Sequence, residues 1–308
     1  MLSQIYKYVT PWAQSTKGEI LKNRILGRLA NYLYPIYCVT HPVKKNNKKN
    51  SKCNIIISLT SFPDRIHKVY LCINSLLRQT ICADKIILWL AESQFPNGVG
   101  IPHQLKELEK KGLEIKFCAD LKSYKKVFFS AQEYPDNIIV TADDDTLYPE
   151  NWLEGLLRTS KEFPSCVVCY RAHMMNIVND HFGPYKDWGG FSDGIKGPSL
   201  LLMPTGVGGV LYPAGYFNNV KFDYDAIKKL CPTADDLWLR IIGLKNNYYV
   251  VKVDPNSKEW FTIRDTQNNT LFSVNTKGPN YNDLAMKRLI DYYEISIKEI
   301  QNMERMGL

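Results

Sequence analysis

The apolar run Ile138-Ile139-Val140-Thr141-Ala142 leads straight into three carboxylates, Asp143, Asp144 and Asp145, and the stretch closes at Pro149. Three adjacent acids repel one another and lower stability unless a cation neutralises them. Hard divalent cations such as Mn2+ and Mg2+ take oxygen ligands, commonly one or two carboxylates completed by substrate phosphates. Alternate residues of an extended segment point the same way, so Asp143 and Asp145 can address one ligand while Asp144 faces elsewhere. The bland reading is a solvated acidic turn ahead of a helix beginning near Glu150, where acids suit the helix N-terminus.

Four further groups carry polar chemistry. Thr60-Ser61-Phe62-Pro63-Asp64-Arg65 follows an apolar run, and Lys125-Lys126 opens a helical one. Pro204-Thr205-Gly206-Val207-Gly208-Gly209 is a glycine-rich turn, in which backbone amides can approach a ligand closely or simply form a β-turn. Asp235-Asp236 begins the apolar segment Leu237-Trp238-Leu239, and Thr233 or Asp235 could cap a helix there. Neither a GxGxxG fingerprint nor a GxxxxGK[ST] loop occurs, which argues against dehydrogenases and ordinary kinases.

The order of strand, Ser-Phe-Pro-Asp-Arg loop, helix and DxD-type triplet resembles the GT-A glycosyltransferases, in particular family-2-like bacterial enzymes of surface-glycan biosynthesis. The resemblance spans roughly residues 53–253 and is strongest around IIVTADDDTLYPENWLEGLL. It implies a Rossmann-like, mostly parallel sheet flanked by helices, a UDP-sugar donor, and Mn2+ or Mg2+. Carried over by position, Asp145 is the principal metal ligand, with Asp143 serving the metal, a metal-bound water or the ribose, and Asp144 beside them in the donor site. Thr60, Ser61, Phe62 and Arg65 would cradle base and ribose, although Phe62 also reads as a hydrophobic cap on the next helix.

In the same family Lys125 or Lys126 would reach the donor, with Lys125 the first choice, and Gly208 and Gly209 would border the donor sugar and acceptor. Asp236, with Asp235 second, would be the base of an inverting transfer to a glycan or lipid-linked hydroxyl. Trp238 is either an aromatic platform for the acceptor or a buried helix residue. The sequence departs from many relatives in having no His after His181. Two rivals are a sugar-nucleotide nucleotidyltransferase, which lacks support in SFPDR, and a non-enzymatic membrane-associated binding protein that works through its basic leader.

The elements that must position these groups follow from periodicity. Strands are expected at Ile55–Thr60, Lys85–Ala91, Glu114–Cys118 and Asn137–Ala142, with helices at Val69–Arg78, Gln104–Lys111 and Lys125–Glu133. Continuous apolar strands alternating with helices indicate a parallel sheet covered on both faces, with ligands beyond the C-terminal strand ends. With 308 residues, 45% of them hydrophobic, the chain can bury a large core. The eight cysteines are scattered in apolar runs, and Cys166-Val-Val-Cys169 has no second half for zinc, so reduced core thiols are expected.

Charge divides the chain. Residues 1–52 hold ten of the 39 basic side chains against one acid, Glu19, so a basic leader and linker precede a nearly neutral domain at 53–308. That neutrality argues against nucleic acid. Leu21, Ile25, Leu29 and Tyr32 have helical spacing and suit either an interfacial helix, giving peripheral membrane contact, or one packed on the domain. Lys44–Lys52 reads as a polar linker. With no apolar run long enough to span a bilayer, the expected location is the cytoplasm.

Overall fold

The computed structural model describes residues 1–11, 15–44, 54–267 and 281–306, so residues 45–52 of the expected linker lie outside the described residues. Two helices, α1 (Leu2–Tyr6) and α2 (Lys17–Thr40), come first. They lead to β1 (Ile55–Thr60), α3 (Val69–Leu77), β2 (Lys85–Ala91), α4 (His103–Glu109), β3 (Leu113–Cys118), α5 (Lys125–Glu133) and β4 (Ile138–Thr141). After the acid triplet come β5 (Thr146–Leu147), α6 (Trp152–Glu162), β6 (Val167–Cys169), β7 (Ala172–Met174), β8 (Ile177–Val178) and β9 (His181–Phe182). The rest comprises β10 (Leu202–Pro204), β11 (Val210–Tyr212), α7 (Tyr224–Leu230), α8 (Asp235–Lys245), β12 (Val250–Lys252), β13 (Phe261–Thr262) and helices Tyr281–Tyr293 and Ile297–Met306.

The expected α/β architecture is present. Seven strands form one sheet in the order β12-β6-β11-β4-β1-β2-β3, and β11 alone runs against its neighbours. Alternation of side chains splits β1 between two cores. Ile55, Ile57 and Leu59 join the core containing residues of α3, α4 and α6, whereas Ile56 packs with Ile87 and Trp89 on the opposite face. That second face also carries α5, whose Ser130 Oγ lies 2.7 Å from Ser58 Oγ and accepts from Trp89 Nε1 at 2.8 Å. These polar contacts fix the rotation of α5 on the sheet.

The N-terminal helices join the same core, through Leu2, Ala30 and Tyr34. Tyr6 stacks on Phe261 at 4.6 Å, its hydroxyl donates to Leu147 O at 2.7 Å, and Asn31 bridges to Thr262 O and Arg264 N. Glu150 accepts from the Met1 ammonium and from Ser3 N at 2.7 Å. Burial alone would raise the Glu150 carboxyl, but the ammonium and Ser3 outweigh it and hold the group at about 2. This contribution is complete above the ordinary value of 4.5 and is lost as pH falls towards about 2. Solvent screening of this half-buried group reduces its worth, and Glu150→Ala is expected to cost about 1–2 kcal/mol in urea unfolding at neutral pH and to expose the first residues to protease. Unchanged stability in the untagged protein would refute that linkage.

The seven described cysteines are all free; Cys72, Cys166, Cys169 and Cys231 are buried core thiols, whereas Cys38, Cys82 and Cys118 are only half-buried. Trp238 is buried, with Nε1 donating to Tyr293 Oη at 2.9 Å, so it offers no exposed platform for a sugar.

Candidate active site

The strand order places β2 and β3 on one side of β1 and β4 on the other. The crevice beyond the C-terminal ends of β1 and β4 is therefore a topological switch point, the habitual ligand position in open α/β sheets. The loop at 61–65 and the acid triplet meet there. Ser61 Oγ donates to Asp144 Oδ2 at 2.6 Å, and Arg65 Nη1 reaches Asp144 Oδ1 at 2.7 Å and Asp145 Oδ2 at 2.9 Å. The Arg65 guanidinium also lies over the Phe62 ring at 5.3 Å.

Because β4 ends at Thr141, the acids lie in a turn, and extended alternation does not determine their directions. Asp144 is nevertheless the inward member, its side chain 7% exposed, against 25% for Asp143 and 17% for Asp145. Asp143 N donates to Tyr148 Oη at 2.9 Å, and Gln267 Nε2 donates to Asp145 Oδ2 at 2.9 Å. Ile263 N donates to Asp145 O, so the strand pair β5–β13 supports the turn from behind.

From the first turn of α5, the buried Lys126 ammonium lies 3.0 Å from Asp143 Oδ1 and 3.2 Å from Asp235 Oδ2. Asp236 accepts from Gly206 N at 3.0 Å. A Cβ on Gly206 would lie 3.0 Å from Lys126 Nζ, 3.3 Å from Asp236 Oδ1 and 3.5 Å from Asp143 Oδ1, so these groups converge on that glycine. Neither Thr233 nor Asp235 caps α8: its N-cap is Ala234, with no side-chain bond.

Five carboxylates thus share two cations, Arg65 and Lys126. The imbalance is visible in their protonation. Burial, outweighing Arg65, pushes Asp144 up to about 6. Burial and the repulsion of Asp143 raise Asp145. Burial and neighbouring Asp235 lift Asp236 to about 7. Tyr185, on the rim after β9, is raised by burial and by the proximity of Asp236.

Several expected residues have other neighbours. Lys125 Nζ pairs with Asp120 at 3.0 Å, and Thr60 Oγ1 donates to Trp89 O at 2.8 Å, along the sheet. Gly208 and Gly209 lie against aromatic side chains. A Cβ on Gly209, whose φ is +86°, would come 2.4 Å from Trp152 Cζ2, while Trp152 Nε1 donates to Gly208 O at 2.8 Å. These glycines brace the turn, and Gly206 supplies the amide at the acids. Lys126 and Gly206 were visible within their motifs; Gln267 and Tyr148 carry no sequence signal of their own.

No family model matches the chain, and neither does any curated protein. Solved structures with a similar backbone course include a mannosyltransferase from Pyrobaculum calidifontis in complex with GDP-Man and Mn2+. It is 9% identical with a TM-score of 0.46, over 91% of this chain and 81% of that one. A second is glucosyl-3-phosphoglycerate synthase from Mycobacterium tuberculosis in complex with Mn2+, UDP and phosphoglyceric acid. Its identity is 10% and its TM-score 0.48, over 82% of this chain and 87% of that one. Likeness at this level carries no inference about chemistry.

Proposed function

We propose that the chain is a metal-dependent glycosyltransferase of the GT-A type, transferring a sugar from a UDP-sugar to a glycan or lipid-linked hydroxyl in surface-polysaccharide assembly. The observation that carries this reading is the uncompensated negative charge at the switch point, where Asp143 and Asp145 retain solvent access. Among the described residues no group of three or more His, Cys, Asp or Glu could hold a metal ion. Two carboxylates still fit Mn2+ or Mg2+, because such ions fill their remaining positions with water and substrate phosphate. Buried Arg65 Nε and Thr205 Oγ1, which have no hydrogen-bond partner among the described residues, add unmet polar capacity beside the acids.

Asp145 and Asp143 would hold the cation, which when bound stabilises the negative charge developing on the departing nucleoside diphosphate. Ser61 and Arg65 stand on the donor side of the crevice, and Asp144 positions both. Lys126 holds Asp143 and Asp235 in place and adds a fixed positive charge. Asp236 takes the proton of the acceptor hydroxyl as its oxygen bonds to the anomeric carbon. The bond from that carbon to the diphosphate oxygen breaks on the opposite side, and its electron pair leaves with the diphosphate, giving inversion.

Calorimetry with UDP-sugars, with and without Mn2+, tests the reading. Wild type is expected to bind a donor only with the cation present, and Asp145→Asn, which alters a ligand itself, is expected to weaken that binding by at least the roughly tenfold that changes beyond the ligands cost. Failure of every activated sugar to bind, or equal binding by Asp145→Asn, would overturn it.

A further inference from the structure

The helix α2 docks on the domain through Ala30 and Tyr34, which are fully buried. At about 100° per residue, Leu21, Ile25, Leu29, Tyr32, Ile36 and Val39 fall within an arc of about 80° on the opposite side. All six are exposed, from 45% at Leu29 to 80% at Val39. A surface helix ordinarily turns its apolar stripe inward and its charges outward. Here the outward stripe is apolar over most of a 24-residue helix, and the domain already covers the other side.

The margins of the stripe are basic. Lys17, Arg24 and Arg28 border one edge and Lys22 the other, all exposed. Glu19, the lone acid of this segment, is occupied in a capping box with Thr16. Arg24 and Arg28 also line a cleft between α2 and residues 260–264, together with Lys7, Lys258 and Arg264. The sequence adds five lysines from Lys44 to Lys52. No helix among the described residues is long and apolar enough to cross a membrane.

We infer that this face of α2 seats the protein on an anionic lipid surface, with the stripe entering the acyl boundary and the flanking cations meeting headgroup phosphates. Tyr32, at 71% exposure, suits the interfacial layer. A second copy of the chain is the poorer occupant. Parallel two-fold pairing of the stripes would bring the arginines and lysines of both copies to one seam, where like charges repel, and antiparallel pairing would leave the cations of each N-terminal half without acidic partners. The domain lies on the far side of the helix and so remains in water.

The test uses the full chain and vesicles of phosphatidylcholine with or without phosphatidylglycerol, read by co-sedimentation. Wild type is expected to bind the phosphatidylglycerol vesicles and to be released by high salt. The triple variant Ile25→Glu, Leu29→Glu, Ile36→Glu changes only exposed positions, and its unfolding midpoint should match wild type. It should bind at least about tenfold more weakly. Arg24→Glu with Arg28→Glu should lose the salt-sensitive part. Equal binding by wild type and the triple variant would overturn the inference. So would a wild-type dimer in light scattering that the triple variant dissolves, with no vesicle binding by either. No nucleotide sugar is needed, so this outcome is independent of the catalytic reading.

Discussion

Asp236→Asn is expected to lower kcat by about two to four orders of magnitude while leaving metal-dependent donor binding near the wild-type value. The side chain is half-buried beside Asp235, and its carboxyl is pushed up to about 7, which suits a base operating near neutrality. Asparagine keeps an oxygen to accept from Gly206 N but cannot take the acceptor proton. In wild type, kcat/KM should fall about tenfold per pH unit below about 7 and level off above it, and in the variant that inflection should vanish. The stability effect runs the other way. A carboxyl whose value is raised on folding binds more protons in the native state, so it costs progressively more stability as pH rises from the unfolded value of 3.8 through about 7. At pH 8 the variant should therefore unfold at a higher temperature than wild type. An unchanged rate, or lost donor binding with a normal rate, would remove Asp236 from the role of base.

Lys126→Met is expected to destabilise the protein by about 3–5 kcal/mol at pH 8, because one substitution leaves Asp143 and Asp235 without their shared cation in a largely buried site. Lys126 is itself driven upward, with burial opposing and Asp143 and Asp235 overriding, so it is charged throughout the working range. Adding Asp235→Asn should restore part of the lost stability at pH 8. Urea unfolding of wild type and of the single and double variants reads each contribution. Destabilisation with no rescue by the second substitution would mean that Lys126 acts through packing alone.

Much of the scaffold was legible because burial period and strand length are local properties. Ile55–Thr60, Lys85–Ala91 and Lys125–Glu133 have the bounds their patterns predict, and the other early elements shift by one or two residues at ends where fraying and caps decide. The reversed strand β11 was not legible, since three apolar residues after a glycine turn carry no sign of direction. The acid triplet stood out because carboxylates at the end of an apolar strand are expensive. The β5–β13 pair and Gln267, which hold it from more than a hundred residues away, had no local signature.

What the sequence determined by itself was the alternation of apolar strands and helices, and with it the sheet and the rim where its acids gather. It also established that α2 would be a helix with an apolar stripe. Only the tertiary structure decided which neighbour in each ambiguous pair faces the site: Lys126 and not Lys125 lies toward Asp143, and Gly206 and not Gly208 or Gly209 meets Asp236. In α2 it set Ala30 and Tyr34 against the domain and left the stripe of Leu21, Ile25 and Leu29 facing away. The physical reason is that adjacent helix positions differ by about 100°. A periodic pattern defines the faces of a helix but not its rotation, and that rotation is set by distant contacts such as Ser130 on Ser58 and Asn31 on Thr262.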